Sequence, residues 1–374
     1  MTSGRFRPPR RVVVKVGSSS LQSQRGGLDS DLIAGLVAQI ATARAAGTEV
    51  VLVSSGAVAA GLEQLGLSRR PADLSGLQAA ASVGQGILIH TYQRSFAEHD
   101  VVCGQVLLTA DDIVDRVRYV NARRTFDKLL ELGAVPVVNE NDTVATDELR
   151  YGDNDRLAAL VASMLGAGLL LLLSDVEGLL DGDPARHERL PVLHRVDDLS
   201  ALEAHHRGRA GTQVGSGGMA SKLEAVRIAT FSAAHAVIAN ARRPGVVGDV
   251  VDGRQVGTWF PPSERRPESR KLWIAFAPPP RGRLVVDAGA VRALTERGSS
   301  LLAAGIVDAE GDFRPGDAVD VVGPDQRPVA RGLVAYARDE VLRLRGRSTG
   351  ELVDAFGPRY QREVIHRDSL VVVG

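Results

Sequence analysis

Short apolar runs alternate with amphipathic stretches along the first two thirds of the chain. The runs Arg11–Val16, Glu49–Val53 and Leu169–Leu173 are apolar at nearly consecutive positions, which is typical of strands that are buried on both faces of a parallel sheet. Between them, apolar residues recur at helical spacing, as from Leu32 to Ile40. The alternation occurs six or seven times, so it predicts one α/β domain with a mostly parallel sheet sandwiched by helices. The other predicted elements of this domain are strands at Val101–Leu108, Ala134–Val138 and Ala236–Ala239 and helices at Ala57–Leu65, Gly76–Glu98, Tyr119–Leu132 and Arg156–Leu165.

The pattern changes after the proline-containing stretch Pro261–Pro267, which has the composition of a linker. Short β-branched runs and turns follow, with one helical pattern at Ala288–Arg297. This indicates a second, small and mainly β domain that is barrel-like. We therefore predict a first domain at residues 1–260, a linker at 261–277 and a second domain at 278–374. The predicted strands of the second domain are Arg283–Val286, Ala318–Val322, Leu333–Ala335 and Ser369–Val373.

Composition narrows the class of protein. The 374 residues include 45 Lys and Arg and 45 Asp and Glu, so the net charge argues against general electrostatic binding to nucleic acid or anionic membranes. Residues 1–10 lack the apolar stretch of a signal peptide, and the longest apolar run is far shorter than a membrane span. The single cysteine, Cys103, excludes an internal disulfide and fits a reducing compartment. We expect a soluble, cytoplasmic protein in which Cys103 is buried and unreactive.

A glycine-rich segment, Gly215–Lys222, precedes an amphipathic pattern and is predicted to enter a helix. A helix N-terminus presents unpaired N–H groups, and a lysine adds a full positive charge, so the segment suits a phosphate group. It is not a P-loop, because no glycine precedes the lysine. Its formal match to a dinucleotide fingerprint is attributed to chance, because the preceding residues are polar and charged instead of forming a strand. The alternative interpretation is a flexible surface loop.

Lys15 is a second candidate for a phosphate site. It lies near the carboxyl end of the first predicted strand and is followed by the turn Gly17–Ser20. Ligands of open parallel sheets bind beyond the carboxyl ends of the strands. The alternative is a lysine whose ammonium simply reaches solvent from the edge of the strand.

Further polar clusters follow other predicted strands and begin predicted helices. They are Ser54–Gly56, Asn139–Thr143, Asn154–Asp155 and Ser174–Asp175. Each could be an ordinary turn or could serve a helix dipole, but the ends of parallel strands can converge on one edge of the sheet. The histidines lack cysteine or carboxylate partners at ligand spacing, so we predict no metal site made of protein side chains.

Two lysines and glycine-rich N–H groups suit a polyphosphate, and phosphoryl transfer depends mainly on positioning and charge stabilisation. No general base for an alcohol acceptor is evident. A carboxylate acceptor needs none, because its reference pKa of about 4 leaves it ionised at neutral pH. The residues therefore fit a kinase that acts on a carboxylate, although composition alone leaves the acceptor open.

These clusters, in this order, resemble the motifs of the amino-acid kinase family, in particular its glutamate 5-kinase branch. Gly289–Leu302 and Phe313–Val321 resemble parts of the PUA domain that is attached to many such kinases. The resemblance covers nearly the whole chain and implies that residues 1–260 are the catalytic domain. Serine is found at positions 174, 216 and 221, where the family more often has threonine. Serine retains the hydroxyl group of threonine and lacks only its methyl group.

The resemblance also implies a role for individual residues. Lys15 and Lys222 would stabilise the transferred phosphoryl group, and Asp155 would orient both lysines. Ser55, Asp142 and Asn154 would bind glutamate. Mg²⁺ would bridge the phosphates through phosphate oxygens and water. The residues implied to contact ATP are Lys15, Ser174, Asp175, Ser216, Gly217, Gly218, Met219, Ala220, Ser221 and Lys222.

The implied reaction gives γ-glutamyl phosphate, the first step of proline biosynthesis, with proline as a feedback inhibitor that competes with glutamate. We also expect a homo-oligomer and no membrane partner. The alternatives are an aspartate or N-acetylglutamate kinase, or RNA binding through the second domain. Residues 271–374 contain 15 Lys and Arg and 14 Asp and Glu, a net charge of +1, whereas an RNA-binding surface should be clearly basic. RNA binding is therefore not expected.

Overall fold

The computed structural model of the chain describes residues 6, 9–23, 27–144, 154–182, 190–199, 217–263, 269–276 and 279–373. The chain divides into two compact units, Met1–Arg266 and Pro267–Gly374. The domain limits expected from the sequence, 1–260 and 278–374 with a linker at 261–277, remain predictions. Part of the predicted linker is helical, since a helix spans Ser269–Phe276.

The first unit is built on a seven-stranded sheet among the described residues. Its strands lie in the order β3-β4-β2-β1-β5-β6-β7. The first six are parallel to their neighbours, and β7 is antiparallel to β6. The mostly parallel sheet predicted from the alternating pattern is therefore confirmed. The strands are β1 (Arg11–Val16), β2 (Glu49–Ser54), β3 (Cys103–Leu108), β4 (Val135–Glu140), β5 (Leu169–Ser174), β6 (His235–Asn240) and β7 (Thr258–Phe260).

Helices account for most of the connections between these strands. In β1, Val12, Val13 and Val14 are all fully buried although successive side chains of a strand point to opposite faces. Both faces of the sheet are therefore covered, which explains the uninterrupted apolar runs. The described helices of this unit are α1 (Ser18–Leu21), α2 (Ser30–Ala45), α3 (Ala57–Gln64), α4 (Leu74–Ala97), α5 (Ala110–Val114), α6 (Arg116–Glu131), α7 (Asn154–Leu165), α8 (Gly217–Phe231) and α9 (Val246–Val251).

Helix limits follow local capping chemistry. The Asp29 side chain accepts a hydrogen bond from Leu32 N at 3.0 Å and caps α2. Asp73 caps α4 by accepting from Gly76 N at 2.7 Å, so this helix begins two residues before the predicted Gly76. Asp115 caps α6, which begins at Arg116 and not at Tyr119. For α4 and α6 the capping aspartate lies three or four residues before the predicted start, so the apolar pattern alone placed these two starts too late.

Helices α3 and α4 cross at two glycines. A Cβ atom on Gly84 would lie 1.8 Å from the carbonyl oxygen of Ala57, and one on Gly61 would lie 1.9 Å from that of Ala80. Both contacts are with backbone, which cannot move aside locally. The absence of side chains therefore permits a close approach that places α4 beside the start of α3, and hence beside the turn that ends β2.

Cys103 lies on β3 and its side chain is buried, as predicted. Burial raises the pKa of its thiol to about 11. Because the thiolate is the reactive form, the thiol is protonated and unreactive at neutral pH. No helix in the described part of the chain is long and apolar enough to cross a membrane.

The second unit contains a five-stranded mixed sheet in the order β12-β11-β10-β8-β9. Strand β10 is parallel to β8, and the other neighbouring pairs are antiparallel. Leu284, Phe313 and Val319 belong to its apolar core. The described elements are α10 (Ser269–Phe276), β8 (Gly282–Val286), α11 (Ala288–Arg297), β9 (Ile306–Gly311), β10 (Ala318–Val322), β11 (Pro328–Leu333), α12 (Arg338–Leu344), α13 (Thr349–Phe356) and β12 (Leu370–Val372).

Two expectations for this unit are wrong. The strand predicted at Leu333–Ala335 ends at Leu333 and begins at Pro328, because pairing with β10 involves Pro328 and Ala330–Leu333. Val334 lies beyond the strand, and its N–H donates to the carbonyl oxygen of Asp317. The single predicted helix, α11, is present, but the described residues contain three more. Helix α13 begins with a capping box at Ser348 and Glu351, a signal that was available in the sequence.

Candidate active site

Two lysines and one aspartate form a buried cluster at the carboxyl edge of the large sheet. Lys15 is near the end of β1, Asp155 is in the first turn of α7, and Lys222 is in the second turn of α8. Lys15 Nζ lies 2.5 Å from Asp155 Oδ1, and Lys222 Nζ lies 3.0 Å from Asp155 Oδ2. Lys15 and Asp155 are fully buried, and Lys222 is 6% exposed. These three residues carry a net formal charge of +1 in a buried position, which suits an anionic ligand.

The first turns of α8 contribute to the same cluster. The Ser221 hydroxyl lies 3.0 Å from Asp155 Oδ2 and also 3.0 Å from the carbonyl oxygen of Gly218. Lys222 Nζ also donates to Gly218 O at 3.3 Å. The carboxylate of Asp155 therefore connects the beginning of α7 to the beginning of α8 and to β1, three elements that are far apart in sequence.

A second cluster consists of uncharged amide and hydroxyl groups. Asn154 Nδ2 lies 2.7 Å from Asn139 Oδ1, 3.0 Å from Ser55 Oγ and 3.1 Å from Ser54 O. Asn139 is at the end of β4, Ser55 directly follows β2, and Asn154 begins α7. Asn154 is adjacent in sequence to Asp155, so the charged cluster and the uncharged cluster share the start of one helix. Asp142 is half-buried in the turn that follows β4.

Ser174 ends β5, between β1 and β6 in the sheet. Its side chain is buried, and its hydroxyl donates to Asp175 Oδ1 at 3.0 Å. Asp175 is exposed, as are Gly218 and Ala220, whereas Met219 is half-buried. Gly217 is the first residue of α8. Ser216 lies outside the described residues.

The sheet order explains why these positions meet. Strands β4, β2, β1 and β5 are adjacent and parallel, so their carboxyl ends lie side by side. Lys15, Ser55 and Ser174 come from neighbouring strand ends, while Asn154, Asp155 and Lys222 come from the helices that begin there. The structure thus brings the predicted residues that it describes to one edge of the sheet.

Two contacts of the uncharged cluster were missed in the sequence. Asn139 Nδ2 donates to Gln85 Oε1 at 2.6 Å, and the Ser54 and Tyr92 hydroxyls lie 2.9 Å apart. Both Gln85 and Tyr92 belong to α4, whose pattern indicated only an amphipathic helix. Their spacing of seven residues puts them on one face of that helix, but no local feature of the sequence indicates that this face meets the ends of β2 and β4.

Comparison with known proteins agrees with this architecture. The model of the amino acid kinase family matches residues 10–240, and that of the PUA domain matches residues 282–354. A glutamate 5-kinase of Salinispora arenicola is 54% identical over 97% of this chain and 98% of its own length. The glutamate 5-kinase of Streptomyces avermitilis is 53% identical over 97% of this chain and 96% of its own length. The glutamate 5-kinase of Moorella thermoacetica is 43% identical over 98% of this chain and 97% of its own length.

Among solved structures, the UMP kinase of Bacillus anthracis covers 68% of this chain and 97% of its own, with 16% identity and a TM-score of 0.47. The assignment rests on the sequence matches and not on this structural likeness. Because one family model spans more than half of the chain and the relatives match it over nearly its full length, the chain belongs to the amino acid kinase family, within the group of the glutamate 5-kinases.

Proposed function

We propose that this protein transfers the γ-phosphoryl group of ATP to the γ-carboxylate of L-glutamate and forms γ-glutamyl phosphate. The observation that carries the proposal is the buried Lys15–Asp155–Lys222 cluster beside an uncharged hydrogen-bonding cluster at the same sheet edge. The names of the relatives, which match over nearly the whole chain, support glutamate as the acceptor. The product would be the first intermediate of proline biosynthesis.

On the ATP side, the ammonium groups of Lys15 and Lys222 would stabilise the negative charge of the transferred group. Phosphoryl transfer relies on such preorganised charges. Asp155 would act as a positioning residue, since each of its oxygens holds one lysine. The nucleotide would contact Ser174, Asp175 and residues 216–222. Phosphate oxygens and water molecules would supply most of the ligands of Mg²⁺.

On the acceptor side, Ser55, Asp142 and Asn154 would bind glutamate. An acidic side chain at Asp142 suits the α-ammonium group of the substrate. The attacking γ-carboxylate is already ionised at neutral pH, so the reaction requires no general base.

The experiment is an incubation of the protein with ATP, Mg²⁺ and one candidate acceptor, with hydroxylamine present to trap an acyl phosphate as a hydroxamate. We expect a hydroxamate from L-glutamate and much less from aspartate or N-acetylglutamate. Equal or faster reaction with one of those two acceptors would contradict the proposal, as would ADP release without any hydroxamate.

Proline inhibition, a homo-oligomer and a cytoplasmic location belong to the same proposal. Proline inhibition rests on the family resemblance, whereas the cytoplasmic location rests on the composition and the single cysteine. Proline should raise the apparent KM for glutamate in the hydroxamate assay without changing the KM for ATP. Unchanged glutamate kinetics at high proline would remove this part of the proposal and leave the reaction itself standing.

A further inference from the structure

We propose that Gln85 is a positioning residue that holds in place the hydrogen-bonding atoms that the acceptor site presents. Through Asn139 it holds Asn154 so that the carboxamide oxygen of Asn154 accepts from the substrate while the hydroxyl of Ser55 donates to it. This inference rests on the proposed function, because it assigns the acceptor site to glutamate. It adds a residue of α4 that would contribute to substrate specificity through Asn139, without contacting the substrate itself.

The first step is the orientation of the Asn139 carboxamide. The backbone N–H of Glu140 donates to the Asn139 side chain at 2.9 Å. A backbone N–H can only donate, so the atom that it faces is the oxygen Oδ1. The nitrogen Nδ2 must then point the other way, where it lies 2.6 Å from Gln85 Oε1.

The second step is the orientation of Asn154. Its side chain lies 3.1 Å from the carbonyl oxygen of Ser54. A carbonyl can only accept, so the atom that it faces is the nitrogen Nδ2. The two hydrogens of this nitrogen are shared among Ser54 O, Ser55 Oγ and the oxygen of Asn139. Two backbone groups, one at each end, therefore determine the direction of the whole network.

The third step is the consequence for a ligand. Because Ser55 Oγ accepts from Asn154, the hydroxyl hydrogen of Ser55 points away from Asn154. Within the described part of the chain, no hydrogen bond uses that hydrogen or Asn154 Oδ1. The site thus offers a donor at Ser55, which suits a carboxylate, and an acceptor at Asn154, which suits an ammonium group. Glutamate has both groups, whereas N-acetylglutamate has lost the ammonium.

The fourth step is the dependence on Gln85. Asn139 is only 3% exposed, so its Nδ2 would lose its partner in a buried position if Gln85 lost its oxygen. An unsatisfied buried donor is costly, and Asn139 would rotate or admit water to find a new partner. The oxygen of Asn139 would then no longer hold Asn154. Helix α4 is well placed for this role. Gly84 brings it against α3, and Tyr92, seven residues after Gln85, contacts Ser54.

The test is Gln85→Met, which nearly keeps the shape of the side chain and removes the hydrogen-bond acceptor. The matched control is Gln93→Met, the same substitution at an exposed position of the same helix. For Gln85→Met we expect a three- to tenfold rise in the KM for glutamate, equivalent to about 0.7–1.4 kcal/mol, because one neutral hydrogen bond is lost. The KM for ATP should not change, the Tm should fall slightly because a buried donor loses its partner, and Gln93→Met should match the wild type in all three values.

A double-substitution cycle with Asn139→Ala separates positioning from a general structural role. If Gln85 acts through Asn139, adding Gln85→Met to Asn139→Ala should cause no further rise in the KM for glutamate. Equal rises in the KM for ATP and for glutamate would overturn the inference. So would additive effects of the two substitutions.

A spectroscopic measurement tests the network independently of the reaction. In protein labelled with ¹⁵N at asparagine, the side-chain amide signals of Asn139 and Asn154 should both shift in Gln85→Met and stay in place in Gln93→Met. Unshifted signals would overturn the inference even if the protein phosphorylates glutamate. Shifted signals in a protein whose wild-type form yields no glutamate hydroxamate would instead overturn the proposed function and leave the hydrogen-bond network standing.

Discussion

The two units of this chain differ most in where they bury polar groups. All the buried polar or charged side chains among the described residues lie in the first unit, and none lies in the second. Most of those in the first unit are at the carboxyl edge of the large sheet, where strands end and helices begin. They are Lys15, Ser54, Asn139, Glu140, Asn154, Asp155, Ser174 and Lys222.

The direction of the strands accounts for this difference. In the first unit, β4, β2, β1 and β5 are parallel, so their carboxyl ends and the helix N-termini that follow lie together. Unpaired N–H groups and positive helix ends accumulate there, and buried polar side chains find partners. In the second unit most neighbouring strands are antiparallel, so their carboxyl ends alternate between the two edges. Among the residues of this unit that the structure describes, no single sheet edge collects buried polar side chains.

Charged residues of the second unit are instead paired near the surface. The Arg283–Glu310 pair has both side chains nearly half exposed, and such pairs contribute little to stability. The least exposed pair among those described in this unit, Arg331–Asp320 at 2.7 Å, still has side chains that are 19% and 26% exposed. The comparison indicates that the candidate active site lies in the first unit, while the second unit is stabilised mainly by an apolar core.

The largest expected effect is that of Lys222→Ala on turnover. Removing one preorganised charge from a phosphoryl-transfer site should lower kcat about a thousandfold. Asp155 would keep Lys15 as a partner, so we expect a folded protein with a native far-UV circular dichroism spectrum and a lower Tm. Lys128→Ala, at an exposed lysine paired with Glu131, is the control and should keep the wild-type rate. A near-normal kcat for Lys222→Ala in an ADP-release assay would contradict its role.

A substitution in the apolar core of the second unit should have the opposite profile. Val319 is fully buried, so Val319→Ala should lower the free energy of unfolding by about 2–3 kcal/mol through lost burial and a cavity. Denaturant unfolding would measure this loss. The KM values for glutamate and ATP, measured well below the unfolding temperature, should not change. A changed KM for glutamate would contradict the separation of roles between the two units, because a substitution in the second unit would then affect substrate binding.

The smallest expected effect concerns the packing of α4 in the first unit. A Cβ atom at Gly84 would meet the backbone of Ala57 and Gly61, so Gly84→Ala should destabilise the protein by about 1–3 kcal/mol. It should also raise the KM for glutamate, because α4 carries Gln85. Gly86→Ala is the matched control, since a Cβ at Gly86 meets nothing within 4 Å, and alanine in a helix interior should stabilise by about 0.5–1 kcal/mol. If both variants unfold at the same denaturant concentration, the close crossing of α3 and α4 has no energetic importance.

Residue patterns were sufficient to predict the large sheet and the strand ends that carry polar residues. Uninterrupted apolar runs such as Leu169–Leu173 occur because both faces of the sheet are covered, and this property is visible in the sequence itself. Lys15 and Lys222 could also be identified from the sequence. A lysine near the end of a buried strand, or at the glycine-rich start of a helix, is recognisable from its neighbours in the chain. The nucleotide-binding roles of these residues remain predictions, and Ser216 and Gly215 lie outside the described residues.

Patterns failed where the deciding contact comes from a distant segment. The strand at Leu333–Ala335 was misplaced, because pairing with β10 and not β-branched content sets the limits of β11. Gln85 was missed, because nothing near it in the sequence indicates that Asn139 lies 2.6 Å away. A polar residue on an amphipathic helix is ordinarily expected to face solvent.

By itself, the sequence determined the type of fold and the kind of chemistry, because period, composition and local motifs are properties of neighbouring residues. Only the tertiary structure decided that one carboxylate, Asp155, holds both lysines, and that a helix behind the site supports the amide of Asn154 through Asn139. Those contacts join residues up to 140 positions apart, as between Lys15 and Asp155. They depend on the order of strands in the sheet and on the close crossing of α3 and α4, which no local pattern encodes.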